Sequence, residues 1–164
     1  MSTLKGLDVI AITDHNSAEN CEACINLSKG KDILVIPGIE LQTKEEIHVL
    51  CLFEDVVSAT EFQGFVYSRL SDQENLPEIF GNQFVLNEND QIVGENKRML
   101  IDSADISINE AFYEVKKRQG IFIPAHIDRS GYSIISSLGF IPVELPIKTL
   151  EISKKCDLGE FLLR

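Results

Sequence analysis

The 164-residue chain holds three histidines, His15, His48 and His126, and each stands in or at the end of a short apolar run that reads as a β-strand. Glu40 follows another such run through the turn Pro37-Gly38-Ile39. Val9 to Thr13 passes from apolar residues straight to Asp14 and His15. In parallel α/β folds the carboxyl ends of strands converge on one rim, and sites are built there. Three imidazoles and a carboxylate on such a rim have the donor set of a zinc, manganese or iron site, with imidazole nitrogen beside carboxylate oxygen. Taken singly, each histidine reads as a polar residue at a strand end bordering solvent. It is the set of three with Glu40 that points to a cation, which would also give an acidic protein one spot that attracts anions.

The elements that must position these residues follow from the apolar pattern. Asp8 to Thr13, Ile33 to Ile36, Ile47 to Phe53 and Ile121 to Ala125 read as strands, and Thr149 to Ser153 as a last one. Because these runs are apolar throughout, the expectation is a sheet covered on both faces, with parallel strands and helical crossovers. Helices are expected over Ala18 to Ser28 and over Ala59 to Leu70. A third runs from the capping-box pattern of Ser107 and Glu110 to about Gln119, before Gly120. Between Ser71 and Asp105 the regularity lapses, and two short apolar pieces, Phe84 to Leu86 and Ile92 to Val93, read as a hairpin-like excursion around 82–103.

Size and charge bound the rest. The length suits one domain with a real core, spanning 1–164. With 26 acidic against 15 basic residues the formal net charge is -11, which repels polyanions, so nucleic acid is not expected as a bulk partner. No stretch nears the roughly 18 apolar residues of a membrane span, and the first residues lack the apolar core of a secretion signal. The expectation is a cytoplasmic protein without a membrane partner. Cys21 and Cys24 form a Cys-x-x-Cys, but no second pair exists to complete a zinc site. On a helix the two share a face and read as small apolar side chains packed inward, with thiol redox chemistry as the alternative.

Thr13-Asp14-His15-Asn16-Ser17, then Pro37-Gly38-Ile39-Glu40, Glu46-Ile47-His48-Val49 and Pro124-Ala125-His126 resemble, in order, the motifs of the polymerase and histidinol phosphatase (PHP) family. The resemblance runs over essentially the whole chain. It implies an incomplete, distorted (β/α)7, TIM-like barrel carrying up to three divalent ions (Zn, Mn or Fe), and hydrolysis of phosphoesters. Carried over residue by residue, His15, Glu40, His48 and His126 would be metal ligands, Glu40 bridging two ions. Asp14 and His15 would be the catalytic pair, Asp14 by orienting or hydrogen-bonding rather than by binding metal. Arg129, three residues past His126, and Lys154 and Lys155 after the last strand are candidates for phosphate oxygens, each equally readable as a solvated surface cation.

Two family motifs have no counterpart in the sequence: the His-x-His of the first strand and the Asp-x-His of a late one. The expectation is therefore a partial PHP-like domain, with one ion served by Glu40, His48 and His126 and a second, incomplete position at His15. The function this implies is a metal-dependent phosphoesterase using metal-activated water on a small phosphorylated molecule or a nucleotide end, with impaired activity in this chain alone. The alternative is a degenerate, non-catalytic PHP-like module for binding or regulation. An incomplete barrel would leave open strand edges, so self-association is also expected.

Overall fold

The structure, a computed structural model, describes residues 2–154, 156 and 158–161. β1 (Val9–Ile12) is followed by α1 (Cys21–Ser28), which starts later than the pattern suggested because Ala18 donates its N–H to the side chain of Gln63 at 2.7 Å, outside the helix. β2 (Leu34–Gln42) and β3 (His48–Leu52) lead into α2 (Val56–Tyr67). This helix lies three residues earlier than its apolar spacing indicated. Asp55 decides the start, since its carboxylate accepts from Ser58 N–H at 2.8 Å and caps the first turn. A short helix α3 (Pro77–Phe80) and the antiparallel pair β4 (Phe84–Leu86) and β5 (Ile92–Glu95) make up the excursion. Ser107 caps α4 (Ile108–Lys117) by accepting from Glu110 N–H, but the reciprocal half of the capping box is not made: the Glu110 carboxylate turns instead to Arg69, 3.5 Å away. β6 (Ile121–Pro124) and α5 (Ile134–Leu138) complete the elements used below.

The main sheet has the order β1-β2-β3-β6. β1 and β2 are parallel, whereas β2 pairs β3 and β3 pairs β6 antiparallel. This overturns the expected (β/α)7 architecture. Among the described residues there is a mixed four-stranded sheet and a separate two-stranded one, with no closed barrel. The cause is connection length. Only Thr43 to Ile47 join β2 to β3, closed by Glu46 N–H to Thr43 O at 2.9 Å and Thr43 N–H to Ile47 O at 3.0 Å, with Glu46 at φ 58°. A link this short makes a hairpin; a parallel crossover needs about a dozen residues. The strand expected over Thr149 to Ser153 does not form either. Glu151 donates to Pro124 O and accepts from Ile127 N–H, lying beside the end of β6 without becoming part of the sheet.

Even coverage of both faces also gives way to alternation. Ile39, Leu41, Val49 and Cys51 are fully buried on one face, packed with Phe62 and Val66 of α2 and Ala111, Phe112 and Val115 of α4. On the other face Glu40, His48 and Leu50 are only half-buried. Antiparallel pairing keeps directly opposed residues on one face, so the hairpin sorts core from site. Cys21 belongs to the core and is not disulfide-bonded to Cys24. Burial pushes its thiol up to about 11, against a weaker pull from its contact with Gly38 O. That disfavours the thiolate on which redox chemistry depends.

Candidate metal centre

Backbone pairing brings the first two candidate ligands together. Beyond β1 the chain stays alongside β2: Glu40 N–H donates to Asp14 O at 3.1 Å and Asn16 N–H to Glu40 O at 3.0 Å, so His15 and Glu40 are parallel bridge partners. His48 opposes Gln42, one step diagonal from Glu40 on the same face. His126 arrives differently. Continuing the β3–β6 register past Val49 and Pro124 would set His126 beside buried Ile47, on the core face. Instead its backbone takes φ 33°, a conformation rare outside glycine, and the imidazole comes to the site face.

The resulting cluster is tight. His48 Nδ1 lies 3.4 Å and His126 Nε2 3.8 Å from Glu40 Oε1, and His15 Nδ1 lies 3.7 Å from Glu40 Oε2. His126 Nε2 and His48 Nδ1 are 3.3 Å apart. The donor atoms of His15, Glu40 and His48 all fall within 4.8 Å of one another, a group that could hold a metal ion. A zinc with bonds of about 2.0–2.1 Å sets neighbouring tetrahedral ligand atoms roughly 3.3 Å apart, close to the separations around Glu40 Oε1. One donor has no other employment: Nδ1 of His15 is buried without a hydrogen-bond partner. The residues present therefore fit a divalent cation.

Neighbouring side chains orient the donors. Gln42 donates its amide N–H to Ser103 Oγ at 2.8 Å, which turns its carbonyl oxygen to His48 Nε2 at 3.1 Å. His48 must then carry hydrogen on Nε2, and in the neutral ring its lone pair is on Nδ1, facing Glu40 and His126. Tyr132, at φ 56°, stacks on the His48 ring with centroids 4.8 Å apart, and its carbonyl accepts from the backbone N–H of His48. Burial raises the tendency of Glu40 to protonate, but when the imidazoles are protonated their charges, with the hydrogen bond that a protonated His48 gives it, outweigh burial and hold the carboxyl below its ordinary range. Burial, then the nearby charges of Arg129 and His48, keep His126 below its ordinary value despite Glu40. A neutral His126 and an ionised Glu40 are the forms that bind metal.

The other sequence candidates lie further out. Asp14 is exposed, and its carboxylate accepts from Asn20 Nδ2 at 3.0 Å rather than facing Glu40. Arg129 is exposed on the turn after His126, with its N–H donating to His126 O at 2.9 Å. Lys154 is exposed just past Ser153, which is tied to Asp128, and no contact among the described residues carries it to the cluster. Lys155 lies outside the described residues. Gln42 and Tyr132 escaped the sequence reading as orienting residues. Gln42 had a signal: it follows Glu40 by two, the strand period that shares a face. Tyr132 had none, since only the folded loop stacks it on His48.

No protein-family profile and no curated protein matches the sequence. A solved structure of similar fold is the crystal structure of the lesion-specific endonuclease PfuEndoQ from Pyrococcus furiosus, with a TM-score of 0.62 at 16% identity. The match covers 95% of this chain but 36% of that one, so the chain spans little more than a third of its length. At this identity the likeness is one of fold. Among the described residues no helix is long and apolar enough to cross a membrane.

Proposed function

We propose that the protein is a divalent-metal-dependent phosphoesterase acting on a small phosphate ester or nucleotide. The observation that carries this reading is the convergence of three imidazoles on the Glu40 carboxylate at the spacing of a coordination sphere. The ordered motifs that resemble the PHP family support it, as does a fold shared with an endonuclease, an enzyme of phosphodiester cleavage. A divalent ion held by this donor set supplies Lewis acidity for the phosphoryl oxygens and makes water acidic enough to attack near neutral pH. The chain's own residues prepare the place for it. Gln42 holds the His48 tautomer, burial keeps His126 unprotonated, and Glu40 brings the negative charge that retains a cation. Arg129 is the candidate for a second hold on phosphate, because its charge is already felt at His126. With a net charge of -11, a single phosphate ester is a better substrate than a long polyanion.

Elemental analysis of the purified protein tests the reading. Wild type is expected to retain zinc, manganese or iron through dialysis, and His48→Ala and His126→Ala each to lose most of it. Chelator-treated wild type should recover hydrolysis of p-nitrophenyl phosphate on addition of metal, and the two variants should not. Unchanged metal content in both variants sinks the site and the activity with it.

A further inference from the structure

A cavity of about 300 Å³ opens beside His15, between the end of β1 and the excursion that carries α3, β4 and β5. Its size is at the lower end for small-molecule sites. One wall is apolar: Phe80 and Phe84 are 47% and 42% exposed, and Leu100 and Ile101 stand with them. The other wall carries the carboxylates of Asp14 and Glu19, and no lysine or arginine lines the cavity among the described residues. Four amides also border it, but all except one of their N–H groups are already given to the protein. Asn20 donates to Asp14 and to Phe84 O, and Asn96 to Glu19 and Tyr67. Gln83 donates to Asn96 O and Arg98 O, and Asn82 gives one of its two N–H groups to Glu95. Beyond one N–H of Asn82, what the cavity has left for a guest is apolar surface and hydrogen-bond acceptors.

We infer that this cavity receives the organic half of the substrate, and that this half is a planar ring bearing N–H donors, as an amino-substituted nucleobase does. Flat rings lie well against phenylalanine faces, and N–H groups meeting carboxylates make charge-assisted bonds. A second phosphate would meet two carboxylates without a cation, so the cavity rejects further anions. The assignment rests on the phosphoesterase reading in one respect alone: the ester must lie at His15, on the cavity's wall.

Binding of nucleosides to metal-free protein tests the cavity without turnover and without the metal centre. Adenosine, cytidine and guanosine are compared with purine riboside, which keeps ring and sugar but carries no N–H on the base. At least one of the three is expected to bind about tenfold more tightly than purine riboside, the worth of a hydrogen bond to a charged group. Glu19→Gln should bring the ratio to within about threefold, whereas Phe84→Ala, which removes a ring contact that all four share, should weaken all four alike; both positions are partly or wholly exposed. Equal affinities for all four nucleosides in wild type, a ratio that Glu19→Gln leaves unmoved, or a Phe84→Ala that binds all four as wild type does, overturns the assignment. The two readings fail separately. Loss of the metal result with discrimination intact removes the phosphoesterase, and the converse removes the cavity.

Discussion

Gln42 decides which nitrogen of His48 is available. Its amide is pinned by Ser103, so its carbonyl oxygen asks His48 for a proton on Nε2 and leaves Nδ1 to the cluster. Replacing it by leucine removes the acceptor and frees the ring to take the other tautomer. Gln42→Leu should therefore weaken metal binding about 10–100-fold, the usual cost of losing a partner behind a histidine ligand, while Gln42→Glu should keep most of the affinity. A competitive titration with a chromophoric chelator reads both. If leucine binds metal as wild type does, the tautomer argument is wrong. At this scale the sequence revealed the donors but not their orientation. His15, Glu40, His48 and His126 were legible as types at strand ends, whereas the aim of His126 depends on a backbone turn at φ 33° that no residue pattern announces.

At the scale of elements, β2 serves two partners in turn. Leu34 to Pro37 pair in parallel with β1, and Gly38 to Gln42 pair antiparallel with β3. Gly38 stands at the changeover, where a Cβ would lie 2.8 Å from both Cys51 O and Leu52 Cδ2. One of those is backbone and cannot swing aside. Gly38→Ala should thus cost about 1–3 kcal/mol of stability by overpacking, seen as a lower urea midpoint. It should also weaken metal binding, because Glu40 lies two residues along the displaced strand. A variant as stable as wild type would mean that β2 and β3 separate more easily than their pairing indicates. Strand positions were readable from apolar runs, but pairing direction was not, since a parallel and an antiparallel strand can carry the same residues. The short Thr43 to Ile47 link held the answer, and the evenly apolar runs pointed instead to parallel strands.

For the molecule as a whole, burial acts on several weak acids, Cys21 and Cys51 in the core and the half-buried Tyr67 outside it. Burial raises Cys51 as it does Cys21, and carries Tyr67 up to about 12, opposed in part by its bond to Ser17. Each binds its proton more tightly when folded than when unfolded. Stability from these groups is therefore whole below pH 9, the ordinary value for a thiol, and is lost as pH rises from there through the folded value of about 11 for Cys21. Urea unfolding should show midpoints that are flat from pH 7 to about 8.5 and fall steadily above. Cys21→Ala should show a shallower fall. A midpoint that climbs across that range contradicts the burial of these groups. The sheet has β1 at one edge, with Val9 exposed, and β6 at the other, with Ile121 exposed, and self-association, where it occurs, is expected at these edges.

Taken by itself, the chain's sequence determined the identity of the four metal-type side chains, their attachment to apolar strands, the inward packing of Cys21 and the presence of a hairpin excursion. These follow from local periodicity and residue chemistry, which neighbours in the chain express without help. Only the tertiary structure decided that the sheet is mixed and open, that His126 turns out of its register to join Glu40, and that the excursion borders a cavity beside His15. Each of those depends on contacts between residues far apart in the chain, where pairing direction, side-chain aim and enclosed space are set by packing rather than by the order of residues.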